Sequence, residues 1–281
     1  MDRLKEVLAF VNNKGGVAKT TTVQNTAAGL LRKDKRLRVL CIDLDPQGNL
    51  SSLLGWRKKQ DEVRTNKTIK DSLMDADNPL YIYKSREGLY YCPASPELAQ
   101  IDPALHSQMN SKLVLCSLFG NKIFYMDDLY GSDHKDAMCR ERYVYEAFDY
   151  ILIDCAPALS ELTYNALGAA TGVIIPVQLG SLSVDGIPPL IQAYKSAKKG
   201  LNKELELRGL LMVMCDERTR LAKETIDYVK EQYGCNVFKT RIRQCVRVGE
   251  SQFQHQDIFQ YSPYCKAGID YMSFVEELMP E

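Results

Sequence analysis

The stretch Val7 to Leu31, VLAFVNNKGGVAKTTTVQNTAAGLL, sets the terms for the rest of the chain. It opens on five apolar residues, Val7 to Val11, long enough for a buried parallel strand. Two asparagines, a lysine and two glycines then interrupt the run. From Ala18, good helix formers and small residues continue to Leu31. Strand, glycine turn and a helix opening on Lys-Thr-Thr make a cradle for phosphate. Gly15 and Gly16 let the backbone curl so that its N–H groups converge on an anion, and the helix N-terminus adds its positive end. Lys19 would neutralise the outer phosphates, and the Thr20 hydroxyl would hold a magnesium ion. A surface turn rich in Lys and Gly is the competing reading. The strand before it and the helix after it argue against that, so the expected ligand is a nucleoside triphosphate.

A second apolar strand, Arg38-Val39-Leu40-Cys41-Ile42, runs into Asp43-Leu44-Asp45-Pro46-Gln47-Gly48. The two aspartates are spaced i, i+2 and so fall on one side of the strand. Parallel α/β sheets carry their functional groups at the carboxyl ends of strands, which puts Asp43 and Asp45 beside the phosphate loop. A carboxylate there can polarise a magnesium-bound water or aim one at the γ-phosphate. Pro46 to Gly48 also serves as the cap of the next helix. Tyr150-Ile151-Leu152-Ile153-Asp154 repeats the pattern, with Asp154 placed to reach magnesium through its water shell. Leu89 to Pro93, Gly172 to Val177, Leu207 to Met214 and Val237 to Thr240 read as further strands. Helical stretches run over 160–170, 184–199, 219–233 and 270–278. The alternation predicts an α/β fold, a mostly parallel doubly wound sheet with helices on both faces. It is expected to be a single domain over 1–281 with an insertion at about 105–146, where no clear period emerges.

Composition narrows the partners. The 281 residues are 45% hydrophobic and 26% charged, enough for a proper core. Lys plus Arg equals Asp plus Glu at 36 each, so no overall field favours nucleic acid or membrane. The nine cysteines form no C-x-x-C pair, which points to reduced thiols in a cytosol. The charged start and its short apolar run predict no signal peptide, and no run approaches the ~18 residues of a membrane span. Locally, Lys239, Arg241, Arg243 and Arg247 lie in one stretch without an acid, and Lys195, Lys198, Lys199 and Lys203 cluster at the end of a helix. With Arg218, these could join into a patch for DNA phosphates.

The phosphate loop departs from the ordinary G-x-x-x-x-G-K-[ST] pattern, because Asn13 and Ala18 occupy both glycine positions. A second lysine, Lys14, heads the loop instead. KGGVAKTTT resembles the deviant Walker A loop of the ParA/MinD group of P-loop NTPases. Together with CIDLDPQGN, YILIDCAP and the tail from Gly209 onward, it makes the chain look like a ParA-type partition ATPase over nearly its whole length. The resemblance implies an ATPase that forms a homodimer sandwiching two ATP molecules. Lys14 would cross to the partner's phosphates, and Gly15, Gly16, Val17, Ala18, Lys19, Thr20 and Thr21 would bind ATP. Thr20, Asp43 and Asp154 would serve Mg2+, with Asp45 positioning the attacking water. The ATP dimer would bind DNA without sequence preference through Arg218 and Arg247, and a ParB-like centromere-binding partner would stimulate slow hydrolysis. The expected location is cytoplasmic and nucleoid-associated.

Three positions depart from the family pattern: Ala18 stands for glycine, Ala156 for the first proline of DCPP, and Arg243 for a proline. The rival readings are a MinD-like positioning ATPase, which needs a basic amphipathic tail where this one is acidic, an iron–sulfur reductase, and a small-molecule synthetase or kinase. No recognisable cluster motif supports the second, and substrate-dependent, DNA-independent phosphate release would mark the third.

Overall fold

The computed structural model describes residues 6–56, 66–74, 78–108, 110–121, 123–125, 143–179, 186–216 and 219–279. Its strands are β1 (Glu6–Phe10), β2 (Val39–Asp43), β3 (Leu80–Lys84), β4 (Tyr90–Cys92), β5 (Ile123–Tyr125), β6 (Tyr150–Asp154), β7 (Gly172–Gln178), β8 (Glu206–Cys215) and β9 (Val237–Arg243). They form one sheet in the order β5-β3-β4-β2-β6-β1-β7-β8-β9. Among the described residues only β3 and β4 pair antiparallel; every other neighbour is parallel. The central strands β1, β2 and β6 are buried at every position. That is why they read as continuous apolar runs rather than alternating ones.

The alternate residues of β1 feed two separate cores. Val7, Ala9 and Val11 join one face, while Leu8 and Phe10 join the other. The first face is covered by α3 (Ile69–Leu73), α4 (Asp102–His106), α5 (Val114–Leu118), α6 (Val144–Ala147), α7 (Glu161–Ala169) and α8 (Ile187–Gly200). The second lies under α1 (Lys19–Lys33) and α2 (Asn49–Leu53). In chain order there follow α9 (Arg220–Tyr233), α10 (Val246–Phe253), α11 (Ile258–Tyr261) and α12 (Lys266–Leu278), of which α11 and α12 also pack on the second face. This is the doubly wound arrangement expected. Burying Leu30 and Phe274 fully stabilises that face by about 1.5–3 kcal/mol each. The small-residue run of α1 has a steric cause: a Cβ on Gly29 would meet Val275 Cγ2 of α12 at 2.7 Å.

The stretch at 105–146 is partly built into the fold. Leu105, Val114, Leu115, Leu118 and Phe119 are buried in the first core, and β5 extends the sheet beyond β3. Residues 126–142 lie outside the described ones. Elements that went unforeseen in the sequence include β3, β5, α3, α10, α11 and the first turn of α12.

Candidate nucleotide site

The phosphate loop is held from its head. Asn12 is buried, donates from Nδ2 to Pro176 O at 2.7 Å, and accepts the Lys14 N–H on Oδ1 at 2.8 Å. These two bonds fix where the chain leaves β1 relative to β7. Gly16 then takes φ 74° and Ala18 takes φ 55°, both left-handed. An added Cβ on Gly15 or Gly16 would meet nothing within 4 Å, so the loop backbone faces open space. Ala18 caps α1 without a side-chain hydrogen bond, and no acid stands in the first turn. The first N–H groups of α1 therefore remain available to an anion. Val17 is buried, which leaves only its backbone to serve a phosphate. Lys14 is exposed at the loop's rim.

Beneath the loop, three charged groups are packed out of water. Lys19 is 6% exposed, and its Nζ donates to Lys14 O at 3.1 Å. Burial lowers its pKa, opposed by the charges of Asp154, Cys155 and Asp45. Asp154 ends β6 in register with Asp43 at the end of β2. Asp43 is fully engaged: it accepts Asp45 N–H at 3.1 Å, Ser51 N–H at 2.8 Å and the Ser51 hydroxyl at 2.6 Å. Its carboxyl is nonetheless pushed up to about 6, chiefly by burial. Neither oxygen of Asp154 has a hydrogen-bond partner. Burial first, and the neighbouring Asp43 second, raise its pKa well above the usual carboxylate range; nearby Thr20 and Lys19 pull it down. The Thr20 hydroxyl is thus close without meeting hydrogen-bond geometry.

A buried carboxylate without a partner costs several kcal/mol unless a cation or a proton joins it. The carboxylate and the adjacent Thr20 hydroxyl are both hard oxygen donors beside a phosphate cradle, which fits magnesium. Asp45 stands apart from this pair, 9% exposed, its Oδ1 accepting Gln47 N–H at 3.0 Å.

The loop with Lys19, Thr20 and Asp45 forms one end of a cleft of about 810 Å³, with Asp43 and Asp154 buried outside its lining. Its other wall comes from the ends of β8 and β9 and from α10, with Met214, Ile242, Val246 and Val248 supplying apolar surface. A polar bond ties that wall to the loop: Gln252 Nε2 donates to Thr21 Oγ1 at 2.7 Å. One end charged and one end apolar suits a nucleotide's phosphates and base.

Residues 5–131 and 132–207 match the AAA domain family. Over 279 residues the chain is 32% identical to the sporulation initiation inhibitor protein Soj of Bacillus subtilis, covering 97% of this chain and 98% of that one. It is 33% identical over 276 residues to the chromosome partitioning protein ParA of Myxococcus xanthus, covering 97% and 87%. The chain belongs to the ParA/Soj family of partition ATPases. Among solved structures, it resembles cobyrinic acid a,c-diamide synthase of Mycobacterium smegmatis with bound ATP analogue and magnesium. There the TM-score is 0.74 and the identity 28%, over 98% of this chain and 94% of the other.

The departures from the ParA/Soj pattern take definite forms. Ala18 holds the left-handed conformation that glycine takes without strain. Arg243 turns to α12, where it grips Asp270 through Nε at 2.9 Å and Nη2 at 2.7 Å, while its own N–H reaches Asp270 Oδ2 at 2.9 Å. It braces β9 and at the same time lines the cleft. Arg247 is exposed and donates to Glu250 Oε2 at 2.7 Å, where the Tyr261 hydroxyl also donates at 2.9 Å. Arg218 lies outside the described residues.

Arg247 does not join the lysine cluster at the end of α8. Lys198, Lys199 and Lys203 precede the start of β8, whereas Arg247 follows the end of the parallel β9. They are separated by the length of a strand, roughly 25 Å. No helix among the described residues is long and apolar enough to cross a membrane.

Proposed function

We propose that this chain is a magnesium-dependent ATPase that dimerises around ATP and moves DNA; the name of its Myxococcus xanthus relative, chromosome partitioning protein ParA, supports the partition part of that reading. The observation that carries the nucleotide reading is the unpartnered buried carboxylate of Asp154, set beside Lys19 and Thr20 under an uncapped helix N-terminus. Thr20 and Asp154 would hold magnesium, which when bound would supply positive charge against the negative charge developing on the phosphates. Lys19 leaves the Lys14 carbonyl for the outer phosphates, and the loop N–H groups from Gly15 to Thr21 surround them.

Asp45 is assigned the attacking water, since it lines the cleft and keeps one oxygen outside its turn. Asp43 acts as a positioning residue, because its oxygens are spent on Asp45 N–H and Ser51. Lys14, exposed on the rim, crosses to the partner subunit's nucleotide. Arg247, with Arg218, contacts DNA phosphates in the dimer, a centromere-binding partner accelerates hydrolysis, and the protein works in the cytoplasm on the nucleoid.

The likeness to an amide-forming synthase supports a second reading, in which the same site activates a small carboxylic acid. One experiment separates them. Asp45→Ala protein with ATP and magnesium is followed by light scattering and by anisotropy of labelled duplex DNA. Accumulation of a dimer that binds DNA of any sequence supports the partition reading. A monomer without DNA affinity, whose wild-type phosphate release ignores DNA, moves the assignment to the synthase.

A further inference from the structure

A second cleft, of about 770 Å³, opens where α1 ends, at the edge where β2 and β4 begin. It lies at the opposite end of the sheet from the nucleotide cleft. Since α1 runs from the phosphate loop to this cleft over 15 residues, the two are roughly 22 Å apart and can be filled together. Six cationic side chains line it, Arg32, Lys35, Arg36, Arg38, Lys84 and Arg86, against two acids, Glu87 and Asp257. In a chain of zero net charge this is a strong local imbalance. Asp257 offsets part of it, its charge acting on Arg32. Its Oδ1 accepts Phe259 N–H at 2.8 Å and Gln260 N–H at 3.0 Å as the cap of α11. Arg36 is paired with Asp34 at 2.9 Å.

Aromatic rings hold several of these cations in place. The Arg38 guanidinium lies 4.9 Å from the Tyr90 ring centroid and 5.3 Å from that of Phe148. Lys84 Nζ lies 5.2 Å from the Tyr90 ring, and the Arg32 guanidinium 5.9 Å from the Phe259 ring. Cation–π packing of this kind orients a charge. The rings serve the cations and are not bare platforms for a base. Recognition in this cleft is therefore of closely spaced negative charge, not of a flat ring. Its volume suits a small ligand.

We infer that this cleft is a binding site for an oligophosphate, distinct from the ATP site and occupied together with it. The phosphates could belong to a free chain or to a nucleic-acid backbone; confinement to a cleft of this size favours the free chain.

The test uses the full chain with the phosphate loop saturated by ADP, magnesium in excess, and tripolyphosphate as the titrant in a calorimeter. ADP binding is read first and on its own, so failure at the loop is not confused with failure here. The expected result is one further tripolyphosphate per chain, with affinity falling as salt rises. Lys35→Glu with Arg86→Glu should weaken it on the order of tenfold or more, and Lys35→Gln with Arg86→Gln by less. Both positions are exposed, so melting temperature and basal ATPase rate should hold. No second binding event, or equal affinity in both double variants, overturns the proposal. So does duplex DNA whose binding depends on these residues while tripolyphosphate gives no heat, since the cleft would then belong to a DNA-contact surface.

Discussion

Asp43 and Asp154 end neighbouring parallel strands in register, and only Asp43 has hydrogen bonds. The pairing divides the labour of two carboxylates that look alike in the sequence. Asp43 organises the turn that carries Asp45. Asp154 is left with a buried charge that something else must answer.

Asp154→Asn should therefore stabilise the nucleotide-free protein while abolishing magnesium-dependent turnover. Its folded pKa is raised, so wild-type stability falls as pH rises from the unfolded value of 3.8 toward the folded one, and then levels off. The variant escapes that loss. The gap between the two should be near zero below about pH 4 and grow above it, to on the order of 1–3 kcal/mol at neutrality. Urea melts at several pH values check this. A variant less stable than wild type at pH 7 would mean that Asp154 has a partner in solution.

The bond between Gln252 and Thr21 joins α10 to the phosphate-loop helix across 231 positions of sequence. Gln252→Ala removes about 1 kcal/mol of net bonding and loosens the apolar wall of the cleft. The KM for ATP should rise severalfold with kcat changed less, because no reacting atom is touched. A fall in kcat at unchanged KM would place Gln252 in the chemistry instead.

The sites that were legible in the sequence are those whose surroundings are uniform. β1, β2 and β6 are buried on both faces, so they stand out as unbroken apolar runs, and the aspartates at their ends are conspicuous. β3 was lost because it is short and mixed: Leu80, Ile82 and Tyr83 are buried, but Tyr81 is half-buried and Lys84 exposed, within a polar stretch. α10 was lost for another reason. Its apolar Val246 and Phe253 are 76% and 82% exposed, and its buried residue is Ser251. A helix that points its hydrophobic residues outward gives the wrong periodicity. Nor could charge counting reveal that the lysines after α8 and Arg247 sit at opposite ends of the sheet. That follows from the parallel pairing of β8 and β9.

Ala18→Gly tests the strain in the loop. Alanine at φ 55° carries a penalty that glycine lacks, partly offset by glycine's greater freedom in the unfolded chain. The substitution should stabilise the protein by roughly 0.5–1 kcal/mol, read from the denaturation midpoint at unchanged slope. Nucleotide affinity should be retained, because only backbone serves the phosphate at this position. A destabilised variant would show that the Ala18 methyl has packing that outweighs the strain.

Glu250 competes for the arginine assigned to DNA. Its carboxylate accepts from Arg247 at 2.7 Å and from Tyr261 at 2.9 Å, and the Arg247 bond holds its pKa below the usual range. For Arg247 to neutralise a phosphate, that bond must give way to a stronger one. Glu250→Gln keeps the side chain's size and its bond to Tyr261 but removes the competing charge. The ATP-loaded variant should bind duplex DNA more tightly than wild type. Its affinity should also fall more steeply with salt, by about one unit of slope per added phosphate contact. Arg247→Ala should shift both in the other direction, and the double variant should resemble Arg247→Ala alone, since Glu250 acts only through the arginine. Anisotropy titrations of labelled duplex at three salt concentrations measure all of this. If Glu250→Gln tightens binding even when Arg247 is absent, the gain is a general loss of negative charge, and Arg247 is not the contact.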